Sequence, residues 1–126
     1  MKNVFISLCI FVVIIIAMSF SIRYLNTTCS KLETNADKLE NLLNDEKWDE
    51  AYTLSNDLYD QWEKQYTIMP IFINHSEIDN LNNEIMKLTQ YVKCKNKEES
   101  LASDHAIKFY LDSLKSLQKI TIQNIF

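Results

Sequence analysis

The chain has no glycine and a single proline, Pro70, in 126 residues. Tight β-turns that need a positive φ draw mainly on glycine, so its absence argues against a sheet protein. A few long helices joined by short polar turns is the expected alternative. Histidine is nearly as scarce: His75 and His105 are the only two, and neither belongs to an HExxH or a Cys/His spacing. Any zinc site would be short of ligands, and neither a metal nor another cofactor is expected. Cys9, Cys29 and Cys94 are too few and too dispersed for a disulfide framework. Neither Cys9 nor Cys29 has the small-residue context of a lipoprotein cysteine. There is no basic tract and the net charge is −4, so nucleic acid is not an expected partner. Hydrophobic residues at 47% argue against disorder.

What is present begins with a long apolar run. Val4 to Ile22 carries no charged residue and is bracketed by Lys2 and Arg23. Nineteen helical residues at about 1.5 Å each reach about 28 Å, close to a hydrocarbon core of about 30 Å. The run exceeds the apolar region of about 7–15 residues in a cleaved signal peptide, although Ala17-Met18-Ser19 has the form of a cleavage site. The reading is a single-pass transmembrane anchor, or an uncleaved signal-like segment, over residues 1–23 and a helical bundle domain over 24–126. Arg23, Lys31 and Lys38 favour a cytoplasmic body, whereas the very short N-terminal tail has a signal-anchor layout. The expectation adopted is an extracytoplasmic body.

Beyond the anchor, Leu25, Cys29, Leu32, Ala36, Leu39 and Leu43 recur at a heptad-type, coiled-coil-like spacing. No breaker separates them from the apolar run, so one helix is expected to continue to about Leu43. A second helix, starting near Glu46, carries Trp48, Ala51, Tyr52, Ser55, Leu58, Tyr59, Trp62 and Tyr66 on one stripe. A third has Ile71, Asn74/His75, Ile78, Leu81, Ile85, Leu88 and Val92, and ends around Lys93-Cys94-Lys95. A fourth opens with Asn96 as cap and Glu99 three residues on. Its stripe is Leu101, Ile107, Tyr110/Leu111, Leu114, Leu117, Thr121 and Ile125. The fold expected is all-α: a transmembrane helix continuing into an up-down-up-down bundle of about four helices.

Three features invite a functional reading. Trp48, Tyr52, Tyr59, Trp62 and Tyr66 form an aromatic seam that serves as core or lines a groove for a small ligand or peptide. His75, Glu77 and Asp79 have the look of a ligand set. On a helix, however, residues two apart point about 200° from each other, and only His75 and Asp79 can meet. They read as a helix start, and a metal-dependent enzyme there is the weakest option. Thirdly, residues 31–64 hold ten acids against four bases, while residues 93–119 hold six lysines against four acids. Pairing between the acidic second helix and the basic fourth is one way to choose neighbours. Asn26-Thr27-Thr28 and Asn74-His75-Ser76 fit a glycosylation sequon by chance.

The N-terminal apolar anchor, Trp48 with Ala51, Trp62, the block Phe72 to Ile85 reading FINHSEIDNLNNEI, and the apolar-striped last helix together resemble a clostridial family. Its members are small membrane-anchored proteins classed only as a domain of unknown function. The resemblance spans essentially the whole chain. It implies a helical envelope protein and brings no activity, cofactor or partner. The chain is therefore read as a non-catalytic, membrane-anchored helical interaction module of the bacterial cell envelope, with a protein or peptide partner. The alternatives are a small-ligand or peptide sensor or carrier on the Trp48–Trp62 face, and an enzyme at His75, Glu77 and Asp79. If the helices alternate in direction, the apolar stretches 68–73 and 120–126 are expected to return to the bilayer, and Cys29 to lie far from Cys94.

Overall fold

The computed structural model describes residues 1–66 and 75–125. Four helices account for nearly all of them, and no strand occurs among the described residues. They are α1 (Lys2–Asn44), α2 (Trp48–Tyr66), α3 (His75–Lys93) and α4 (Lys97–Ile125). The principal packing pairs are α1 with α2, α2 with α3, α3 with α4, and α4 with α1. The helices thus form a closed ring in which each runs antiparallel to its neighbours.

The α1 helix is 43 residues long, about 65 Å, and has two halves of different character. Over the first half, Val4, Phe5, Phe11, Ile16 and Phe20 are exposed, and no other helix covers the most apolar stretch. The hydroxyl of Ser21 donates to the carbonyl of Ala17 at 2.9 Å, which satisfies its polarity within the helix. In the second half, Leu25, Cys29, Leu32, Ala36, Leu39 and Leu43 are all buried. The six expected core positions are the six found, because a 3.6-residue period lays them along one stripe.

Against that stripe pack Ala51, Leu58 and Trp62 of α2, then Ile78, Leu81, Ile85, Leu88 and Val92 of α3. Ile107, Leu111 and Leu114 of α4 complete the core. Leu101 and Tyr110 pack against it half-buried. The side chains of Leu117, Thr121 and Ile125 lie outside the described residues, as do Ile71 and the stretch 68–73.

Two distal turns close without glycine. Both place an ordinary residue in the left-handed region, Glu46 at φ 56° and Lys95 at φ 57°. At the first, the amide of Glu46 donates to Leu43 O and that of Lys47 to Leu42 O. At the second, the amide of Lys95 donates to Val92 O and that of Asn96 to Tyr91 O. This is the Schellman pattern at both sites. The side chain of Asn96 then accepts from the amide of Glu99 at 3.2 Å and caps α4 as expected.

The charge pattern pairs different helices from those expected. The lysines of α4 meet acids of α1: Lys115 with Glu33, and Lys108 with Asp37 and Glu40. No ion pair joins α2 to α4 among the described residues, because ring closure places α4 beside α1 and α3. Asp49, Glu50, Asp57, Asp60 and Glu63 of α2 are exposed.

Candidate functional site

The five aromatic residues of α2 do not converge on one cavity. Trp62 is fully buried, and its indole Nε1 donates to Asn82 Oδ1 of α3 at 3.2 Å. Tyr66 meets the Trp62 ring at a tilt of 60° and donates its hydroxyl to Asp79 Oδ1 at 3.2 Å. That hydrogen bond to a carboxylate, with the carboxylate's charge, raises the pKa of Tyr66. Trp48 packs half-buried on the core at the opposite end of α2. Tyr52 is exposed.

Tyr59 has the setting closest to a binding site. With Asn56 it forms the α2 wall of a surface groove of about 480 Å³. Met86, Lys87, Thr89, Gln90 and Tyr91 of α3 form the other wall. The Thr89 hydroxyl is turned back onto Met86 O at 2.7 Å, so the groove offers rings, a thioether, amides and one ammonium. Sequence reasoning missed the α3 wall. Tyr91 and Met86 fall off the apolar stripe of that helix and gave no periodic signal.

The stretch His75, Glu77, Asp79 opens α3, with His75 its first helical residue. Asp79 is engaged by Tyr66. Among the described residues no group of three His, Cys, Asp or Glu is arranged to hold a metal ion.

Sequence reasoning also passed over the most unusual polar group. Asp104 of α4 is fully buried, and neither carboxylate oxygen has a hydrogen-bond partner. Its nearest charge is Lys108 Nζ at 3.6 Å, one turn on. Lys108 is committed elsewhere, to Asp37 at 2.8 Å and to Glu40. Burial pushes the Asp104 pKa up to about 7, against the opposing pull of Lys108. Burial also works against the Lys108 ammonium, but bonds to Asp37 and Glu40 outweigh it and hold its pKa above the usual lysine value. The bond from Lys108 lowers the pKa of Glu40. His105 Nε2 approaches Glu40 from the outside at 3.3 Å. The available signal was spacing: Asp104 sits in the same 3-4-3 series as Ile107, Leu111 and Leu114.

A family model for a domain of unknown function (DUF4363) matches residues 19–125. The chain belongs to that family. No curated protein and no solved structure matches it significantly. The DUF4363 match begins near the end of the apolar run and takes in the whole ring of helices. The buried Asp104, the Tyr59 groove and the Trp62 contact therefore all belong to the DUF4363 domain, while most of the uncovered half of α1 precedes it.

Proposed function

We propose that this DUF4363 protein is a single-pass, membrane-anchored, non-catalytic interaction module of the bacterial cell envelope. One observation carries the reading: α1 passes without a break from an uncovered apolar stretch into the core of the bundle. Exposed aliphatic and aromatic side chains on that scale are costly in water, at about 25 cal/mol per Å², and are relieved in lipid. Such a helix spans the bilayer as Val4–Ile22 and holds the bundle, residues 24–126, on one side. The bundle offers a protein or peptide partner its outer faces, among them the acidic surface of α2. Trp62, Tyr66, Lys108 and Lys115 direct their polar groups to contacts between helices, which supports a role for the bundle as a rigid binding scaffold.

The anchor is tested by alkaline carbonate extraction of native membranes. The full chain is expected in the pellet, and its release into the supernatant would overturn the reading. Placement outside the cytoplasm is tested with a membrane-impermeant maleimide, because Cys94 is an exposed thiol of the bundle. Labelling of intact cells is expected; labelling only after permeabilisation would put the bundle inside. A crosslinked pull-down from those membranes then reads the partner.

The Tyr59 groove favours a second reading, a sensor or carrier of a small ligand or peptide with an apolar or aromatic portion. Ligand-dependent quenching lost in Tyr59→Ala, with Tm unchanged, would promote it over the first.

A further inference from the structure

The ion pairs of the bundle leave one face unmatched. Lys108 and Lys115 of α4 are taken up by acids of α1. Among the described residues no ion pair engages Asp49, Asp60 or Lys93, and Lys87 reaches only Glu84 of its own helix, at 3.6 Å.

Helix geometry puts these groups on one surface. Gln65 and Gln61 of α2 bond Tyr24 and Asn35 of α1. At about 100° per residue, Asp49, Asn56 and Asp60 lie on the opposite side of α2. On α3, Glu84 accepts from Ser103 of α4. Met86, Gln90 and Lys93 lie on the opposite side of that helix, with Lys87 at its margin. Asp49, Asp60, Met86, Lys87 and Lys93 are all exposed. The outer α2–α3 face thus carries acids along α2 and lysines along α3. The groove of about 480 Å³ between Tyr59 and Met86 runs through its middle.

The two rows also match in height. Trp62 is level with Asn82, and Tyr66 with Asp79. One residue down α2 is therefore one residue up α3. On that register Asp60 lies about 4 Å of rise from the level of Lys87, and Asp49 about the same from that of Lys93.

We propose that this face is the contact between two copies of the chain in one membrane, related by a twofold axis parallel to the helices. This deepens the interaction-module reading and rests on its anchor, since two anchors entering one bilayer in the same direction require that axis. Rotation about it keeps every residue at its height and lays α2 of each copy over α3 of the other. Asp60 then faces the partner's Lys87, and Asp49 the partner's Lys93, twice over. The two grooves meet across the axis, with Tyr59 and the exposed Met86 at the centre. An apolar middle with a charged rim is the usual layout of a protein interface. Helices of 19 residues, about 28 Å long, in a face about 20 Å wide give about 1,100 Å² over two copies. A contact of that size is weak between free proteins, and sharing a bilayer raises the effective concentration.

The test uses the full chain in phosphatidylcholine vesicles, in a C9S background labelled with donor or acceptor dye at the exposed Cys94. Cys29 is fully buried and does not take the label. Flotation with the vesicles and helical circular dichroism are checked first for every variant. Energy transfer between chains is then followed as the ratio of lipid to protein is raised. The parent is expected to associate, and D49K/D60K and K87D/K93D each to do so about tenfold or more weakly. The fourfold variant D49K/D60K/K87D/K93D, in which every facing pair again has opposite signs, should recover the parent's transfer. E50K/D57K makes the same charge change on the far flank of α2 and should leave transfer unchanged. Floating protein with no transfer overturns the contact and leaves the anchor standing. So does transfer that the face substitutions do not weaken, a fourfold variant that recovers nothing, or an equal loss in E50K/D57K. Failure of the parent chain to float overturns both readings.

Discussion

The carboxylate of Asp104 and the ammonium of Lys108 lie 3.6 Å apart, near enough for attraction and too far for a hydrogen bond. Lys108 spends its donors on Asp37 and Glu40 of α1. One cation thus answers three carboxylates, and the buried one has the weakest share. This pairing sets the expected response of the bundle to pH.

Asp104 has a folded-state pKa of about 7 against 3.8 in the ordinary case. The folded chain holds that proton more tightly than the unfolded chain. Its stability contribution is therefore lost as pH rises from about 4 to about 7. Glu40 is shifted the other way, so its contribution is present above its unfolded pKa and lost as pH falls through the folded value. It therefore acts below the Asp104 window. Asp104→Asn is expected to match the parent near pH 4 and to exceed it at pH 8 by about 2–4 kcal/mol. Urea titrations at the two pH values check this. A variant no more stable than the parent at pH 8 would place the proton elsewhere.

Lys108→Met removes the cation and leaves Asp37, Glu40 and Asp104 facing one another. A loss of about 2–4 kcal/mol is expected at pH 8, mostly from uncompensated charge. Adding Asp104→Asn should recover part of it. Strict additivity in the double-mutant cycle would show that the two groups do not interact.

Glu46 and Lys95 occupy left-handed positions that glycine takes without strain. Glu46→Gly and Lys95→Gly are each expected to raise stability by about 1 kcal/mol, the scale of the left-handed penalty for a residue with a Cβ. The Glu46 gain should be slightly smaller, because its exposed ion pair with Lys97 is lost. Thermal melts of the single variants decide the matter, and a fall in Tm for both would sink it.

Trp62 is a fully buried ring with a satisfied indole N–H. Trp62→Ala is expected to cost about 3–5 kcal/mol. Trp62→Phe should cost less, since it keeps most of the volume but orphans Asn82 Oδ1. A Trp62→Ala protein with unchanged Tm would contradict the burial.

Cys29 lies in the core near the end of the bundle where α1 enters it, and Cys94 is exposed just beyond α3 at the opposite end. Both are free thiols in the structure. Burial pushes the Cys29 pKa up to about 12, so it should resist maleimide at pH 8 in the folded chain while Cys94 reacts. Mass spectrometry without reductant is expected to find no Cys29–Cys94 crosslink. Finding one would refute the antiparallel path.

The sequence alone determined the helices and their inward faces. A stripe such as Leu25 to Leu43, or Ile78 to Val92, is a property of one helix and its 3.6-residue period, so it can be read before any neighbour is known. The distal turns were legible in part, through Asn96 and the polar runs around Asn44 and Lys95. That Glu46 and Lys95 would adopt a positive φ was not, because in a chain without glycine no residue type marks the position. Only the tertiary structure decided which helices touch. Acid-rich α2 and lysine-rich α4 attract on paper, yet ring closure sets α4 against α1, where Glu33, Asp37 and Glu40 receive its lysines. The same closure buries Asp104, whose inward register the spacing marks although its residue type speaks for the surface. It scatters the aromatic residues too: Trp62 goes to the core, Tyr66 to Asp79, and Tyr59 to a groove whose other wall comes from α3. A local period says which way a side chain faces; what it meets there depends on a neighbour far along the chain.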